Sequence, residues 1–152
     1  MNIEKKLKEL NIELPNAQDP VGAYVAFKKV NNLLFISGQL PISNDGKMIK
    51  GQIGKDLTLE DGQKASKLCV INILAQVKKA LNGDLNNIKN CVKITGFVNS
   101  TDDFKDQPKV INPASETLSA VFGDKGKHAR VAISANSLPL GAAVEIDAIF
   151  EI

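Results

Sequence analysis

The sequence predicts an α+β fold in which two helices pack on one face of a single mixed sheet. Three features carry this. One long stretch from Leu59 to Leu81 repeats its apolar residues at helical spacing. Several β-prone stretches flank it, the last alternating apolar and charged residues to the end of the chain. The 152 residues contain no internal repeat, low-complexity run or linker, so one domain accounts for residues 1–152.

The elements follow in order. Ile3, Leu7 and Leu10 share one face of a short N-terminal helix, which Asn11 can close and Pro15 prevents from continuing. Tyr24 to Val30 and Leu33 to Ser37 are β-prone, with Asn31-Asn32 as the tight turn of a hairpin. Gly38-Gln39-Leu40-Pro41 ends the second strand, and the turn around Ser43 to Lys47 precedes a short strand near Met48 to Lys50. In the long helix Thr58 is the N-cap, Glu60 and Asp61 suit the first turn, and Val70, Ile73, Leu74, Val77 and Leu81 form the buried stripe. Asn82-Gly83 stops it. Asn90 to Asn99 reads as a strand. The second helix ends at Val121-Phe122-Gly123, and its start is open between Asp106 with Pro108 and Asn112 with Pro113. Two strands finish the chain, Ala129 to Asn136 and Ala143 to Ile152. Paired as a hairpin, they would set Arg130 near Ile149.

Composition narrows the function. Apolar residues make up 43% and charged residues 24%, a globular balance. No window approaches the ~18 apolar residues of a membrane span, and no apolar region follows the charged start, so a cytoplasmic protein without a secretory signal is expected. Nineteen basic against seventeen acidic residues, spread along the chain, argue against a nucleic-acid surface, as do the absence of Trp and the single Tyr24. Cys69 and Cys91 have no CxxC spacing and His128 stands alone, so a structural zinc site is not expected. Both thiols read as buried. Nothing matches a phosphate loop or a nucleophile elbow, and no motif supplies a serine to His128.

What remains is polar residues in or beside strands. Gly22-Ala23-Tyr24, Ser37-Gly38-Gln39-Leu40-Pro41, Ala129-Arg130, and Leu138-Pro139 followed by Val144-Glu145-Ile146-Asp147 come in an order and spacing that resemble the RidA/YjgF family of imine and enamine deaminases. The resemblance covers roughly residues 20 to 150. Arg130 and Glu145 are fifteen positions apart, as in that family. The N-terminal helix and the stretch from Lys109 to Ser115 resemble a longer branch of it. Two positions depart from its well-studied branch: Ala132 replaces a cysteine and His128 replaces a proline.

The resemblance implies a chorismate-mutase-like fold and a homotrimer with sites between subunits. It implies hydrolysis of 2-aminoacrylate or related 2-imino acids to 2-keto acids and ammonia, with no metal or other cofactor. Arg130 would hold the carboxylate and Glu145 would position the water, while Tyr24, Ser37, the backbone of Gly38 and the backbone at Ala132 complete the pocket. The chemistry is consistent in itself. A nitrogen-protonated imine is already electrophilic and needs orientation and one proton shuttle. A guanidinium fork holds a carboxylate better than any of the eighteen lysines could. The residues alone leave other roles open. Arg130 could pair with a carboxylate, Glu145 could face solvent on an outer sheet face, Tyr24 could be a packed strand residue, and His128 reads as a surface histidine. A non-catalytic carboxylate-binding trimer is the alternative function. A ribonuclease is a third, disfavoured by charge and aromatic content.

Overall fold

The computed structural model describes residues 2–152. Helix α1 (Ile3–Glu9) starts where the Asn2 side chain accepts from the Lys5 amide, and it buries Ile3 and Leu7. Leu10 closes it, and Asn11 turns the chain with a φ of 53°. The hairpin forms as β1 (Phe27–Val30) and β2 (Leu33–Gln39), with Asn31 at φ 52° in the turn. It starts three residues later than expected, so Tyr24 lies outside the strand. The Ser37 amide still donates to the Ala26 carbonyl at 2.9 Å, and beyond that its Oγ donates to the Val25 carbonyl. Met48 and Lys50 make single bridges to Ile42 and Ala142 and form no strand of their own.

Helix α2 (Leu59–Ala80) has the expected cap. Thr58 accepts from the Asp61 amide while the Asp61 carboxylate accepts from the Thr58 amide. After β3 (Asn90–Asn99) comes α3 (Gln107–Phe122), which begins behind Asp106 and runs on through Pro113. Pro113 cannot donate to the Lys109 carbonyl four residues back. The Gln63 side chain of α2 donates to that carbonyl instead, at 3.0 Å. The chain closes with β4 (Ala129–Ala135) and β5 (Val144–Glu151).

The five strands take the order β1-β2-β5-β3-β4. This corrects the expected hairpin of the last two strands. β3 lies between β4 and β5, antiparallel to β5 and parallel to β4. Arg130 aligns with Ile94, which in turn aligns with Ala148, not Ile149. β5 carries the more regular alternation, buried on every second residue, and so takes the centre. β4 is left on an edge.

Helices α2 and α3 cover one face. Their Ile73, Leu74, Val77, Val110 and Leu118 meet Ile94, Val144, Ile146 and Phe150 of the sheet in one core. Gly96 permits the close approach of α3, because a Cβ there would stand 2.6 Å from the Ile111 side chain. The opposite face has no covering layer. It presents Phe35, Phe97, Val131, Ile133 and Ile149 among Thr95, Glu145 and Asp147, and Val131 and Ile133 are 41% and 46% exposed. No helix of the described residues is long and apolar enough to cross a membrane.

Candidate functional site

The first group of site residues gathers where β2 ends. The β2–β5 register breaks between Ile36 and Gln39, and that irregularity lets Ser37 and Gly38 leave the ladder. Gly38 lies against the Glu145 carboxylate so closely that any side chain at this position would collide with it. Glu145 is half-buried and, among the described residues, has no hydrogen-bonded partner that would favour its charge. Burial pushes its pKa above the ordinary carboxylate range, and the neighbouring Asp147 carboxylate pushes in the same direction. That is the direction wanted in a group that takes a proton from water and returns it.

Tyr24, Ser37 and Gly38 line one cavity of about 410 Å³, with Leu40 and Leu140 on its walls. Tyr24 is 55% exposed at its mouth. Segment Gln18–Tyr24 is fixed to α2 by Gln76, which donates to the Gln18 carbonyl, and by the Lys79–Asp19 ion pair at 2.7 Å.

The second group lies on β4. Arg130 aligns with the core residue Ile94 and so turns toward the helix layer, not the open face. Its Nη1 donates to Asn112 Oδ1 at 2.9 Å and to Ser115 Oγ at 3.3 Å, and Nη2 reaches the Pro108 carbonyl at 3.5 Å. All three acceptors are neutral and all belong to α3. None of the ion pairs among the described residues includes Arg130. Its charge is therefore held in position without being cancelled. Ala132, two residues on, has the same orientation and is packed against the core.

Arg130 and Glu145 do not meet within one chain. They occupy opposite faces of the sheet, and the register separates their Cα atoms by roughly 14 Å. Tyr24, Ser37 and Gly38 share a cavity that Glu145 does not line, and Gly38 is the residue among them that lies against the Glu145 carboxylate. Arg130 and Ala132 form a separate group, on the edge strand β4.

His128 has a serine after all. Its Nε2 is 2.9 Å from Ser115 Oγ, and its Nδ1 is 2.6 Å from the Gly126 carbonyl. A carbonyl only accepts, so Nδ1 carries the hydrogen, and in the neutral ring the Ser115 hydroxyl donates to Nε2. Ser115 thereby joins His128 to Arg130. The signal in the sequence was the spacing of Asn112 and Ser115, one helical turn apart on the face of α3 that meets β4. The two cysteines are buried as expected. Burial pushes Cys91 up to about 12 and, with the Glu145 charge adding, holds Cys69 well above the usual thiol range. Neither is a nucleophile. Among the described residues no group of three or more His, Cys, Asp or Glu could hold a metal ion.

Comparison with known proteins identifies the family. Residues 4–151 match the family described as "YjgF/chorismate mutase-like, putative endoribonuclease". Protein TCP17 of Trypanosoma cruzi is 41% identical over 151 residues, covering 99% of this chain and 94% of its own. A RutC family protein of Pyrococcus horikoshii is 31% identical over 135 residues, covering 88% and 90%. Among solved structures, Atu1372 of Agrobacterium tumefaciens, described as of unknown function, is 48% identical with a TM-score of 0.91, covering 99% and 94%. A Shewanella oneidensis protein that carries the endoribonuclease description is 31% identical with a TM-score of 0.95 over the full length of both chains. The match over nearly every residue, together with the five-stranded mixed sheet and its two covering helices, means that the chain belongs to the RidA/YjgF/RutC family, with its chorismate-mutase-like fold.

Proposed function

We propose that the protein hydrolyses reactive 2-imino acids, of the 2-aminoacrylate and 2-iminopropionate type, to 2-keto acids and ammonia. The observation that carries this reading is the uncompensated guanidinium of Arg130, presented on an edge strand by three neutral acceptors. Such a group awaits a planar anion, and a substrate carboxylate fits it in bidentate fashion.

Water adds to C2 of the protonated imine and gives a proton to Glu145, forming a carbinolamine. Glu145 returns the proton to nitrogen, the C–N bond breaks, ammonia leaves, and the remaining hydroxyl proton is lost as C2 becomes a carbonyl. Ser37 and the backbone at Gly38 orient the imine beside Glu145, and Tyr24 closes the mouth. Because Arg130 and Glu145 lie on opposite faces of one sheet, the complete site needs Arg130 and Ala132 from one subunit and the Glu145 group from another. A closed homotrimer meets that need and also covers Phe35, Val131 and Ile133. Sedimentation showing a monomer at micromolar concentration would remove the basis for a shared site.

The deciding experiment is stopped-flow turnover of freshly generated 2-iminopropionate. Acceleration over the uncatalysed rate supports the hydrolase. No acceleration, with 2-keto acid binding retained, leaves a carboxylate-binding protein. The ribonuclease description carried by relatives has less support here, since a net charge of +2 with one Tyr and no Trp offers neither a phosphate track nor stacking platforms.

A further inference from the structure

The guanidinium of Arg130 has five N–H donors, and its neighbours claim three of them. Both hydrogens of Nη1 are used, on Asn112 Oδ1 at 2.9 Å and on Ser115 Oγ at 3.3 Å, and one hydrogen of Nη2 goes to the Pro108 carbonyl at 3.5 Å. The Nε hydrogen and the second one on Nη2 have no partner among the described residues. They sit on nitrogens bonded to the same carbon and can serve the two oxygens of one carboxylate. Which way that free pair faces depends on how Nη1 is anchored.

The three anchors differ in kind. The Pro108 carbonyl and the Asn112 amide oxygen can only accept, whereas the Ser115 hydroxyl can accept or donate. A hydroxyl hydrogen turned toward Nη1 would set two donors face to face and break that anchor. His128 removes the choice. Its Nδ1 is 2.6 Å from the Gly126 carbonyl, so the hydrogen of the neutral ring is held there, and Nε2 is left as an acceptor 2.9 Å from Ser115 Oγ. The hydroxyl hydrogen goes to Nε2, and a lone pair of the same oxygen faces Arg130. Every donor from Arg130 through Ser115 and His128 to Gly126 then points the same way. None of the ion pairs among the described residues includes His128, so no carboxylate competes for the ring.

We propose that His128 is a positioning residue for Arg130: it sets the Ser115 hydroxyl as an acceptor and thereby fixes the edge of the guanidinium that receives the substrate carboxylate. The proposal rests on reading Arg130 as the carboxylate clamp. Pyruvate is titrated by calorimetry into the wild type, His128→Phe, which keeps a ring and loses both nitrogens, Ser115→Ala and the double variant. Arg130→Lys is titrated alone and combined with His128→Phe, and melting curves check that each variant is folded. The expected result is a loss of affinity of about three- to tenfold in His128→Phe and in Ser115→Ala, the scale of one hydrogen bond. The double variant should bind no more weakly than Ser115→Ala, and His128→Phe should change nothing further once Arg130 is lysine. Wild-type affinity in His128→Phe overturns the proposal, as do losses that multiply in the double variant or persist in the Arg130→Lys background. Undiminished binding by Arg130→Lys itself is a different result, which removes the clamp reading and the proposal with it. One measurement needs no variant. The chain has a single histidine, so its ring nitrogens are read directly by nitrogen NMR. At about pH 8, where an ordinary imidazole is neutral, the hydrogen should be on Nδ1 and the ring signals should move on saturation with pyruvate. A hydrogen on Nε2, or signals indifferent to pyruvate, overturns the proposal.

Discussion

The two faces of the sheet are built from alternate residues of the same strands and meet opposite demands. The helix-covered face is closed, and its residues Ile94, Val144, Ile146 and Phe150 are fully buried. The open face mixes partly exposed Phe35, Val131 and Ile133 with two carboxylates, Glu145 and Asp147. The first face makes the subunit stable. The second holds a half-buried acid at a cost in stability and leaves apolar surface uncovered. Arg130 connects the two functions, since it sits at the margin of the covered layer and yet is kept free of any carboxylate.

The largest effect expected from this difference is catalytic. Glu145→Gln should cut imine hydrolysis by about 10²–10⁴-fold while pyruvate affinity changes little. Unchanged turnover would remove Glu145 from the mechanism and turn attention to Tyr24 and the Ser115–His128 pair.

Next comes the packing contrast. Phe150→Ala, on the covered face, should cost about 3–5 kcal/mol in urea unfolding, the range for a buried aromatic that also loses its edge-to-face partner, Phe122, at 6.3 Å. Ile133→Ala, nearly half exposed in one subunit, should cost far less within the subunit and should instead weaken assembly in sedimentation. Equal unfolding costs and an unaltered assembly state would erase the distinction between the faces.

Arg130→Lys should weaken pyruvate binding by about 1–3 kcal/mol in calorimetry, since lysine keeps the charge and loses the fork. Equal affinities would make Arg130 a purely structural residue.

The smallest effect is on pH dependence. The folded chain holds the Glu145 proton to higher pH than the unfolded chain does. The stability associated with that proton is complete below the ordinary carboxylate range and is lost as pH rises through the raised value. Glu145→Gln should therefore melt higher than the wild type at pH 7, and the advantage should shrink as pH falls. A constant difference between the two would mean that the fold does not disfavour the ionised carboxylate.

Much of this was legible in the sequence where local rules govern. The Thr58–Asp61 cap, the stripe from Val70 to Val77 and the alternation from Val144 to Glu151 each depend on residues within a few positions of one another. Strand order does not. Ala129–Ala135 and Val144–Glu151 look like a hairpin because the connection is short, but the regular alternation of β5 draws it to the centre, and β3 separates the two. The partnership of Ser115 with His128 was hidden for the same reason, since it depends on α3 lying over β4. The site motifs at Ser37-Gly38 and Glu145 were readable as types, while their contact became visible only through the break in the β2–β5 ladder.

Pro113 has a mechanical consequence. It removes one rung from α3, and the open rung lies between Pro108 and Asn112 on one side and Ser115 on the other. Arg130 grips both sides of that joint, and Gln63, on a different helix, braces it through the Lys109 carbonyl. The seat of the guanidinium is thus tied to α2 across a brace that does not hydrogen-bond to Arg130. A residue that makes no hydrogen-bond contact with Arg130 has leverage over the direction in which the chain's single guanidinium points.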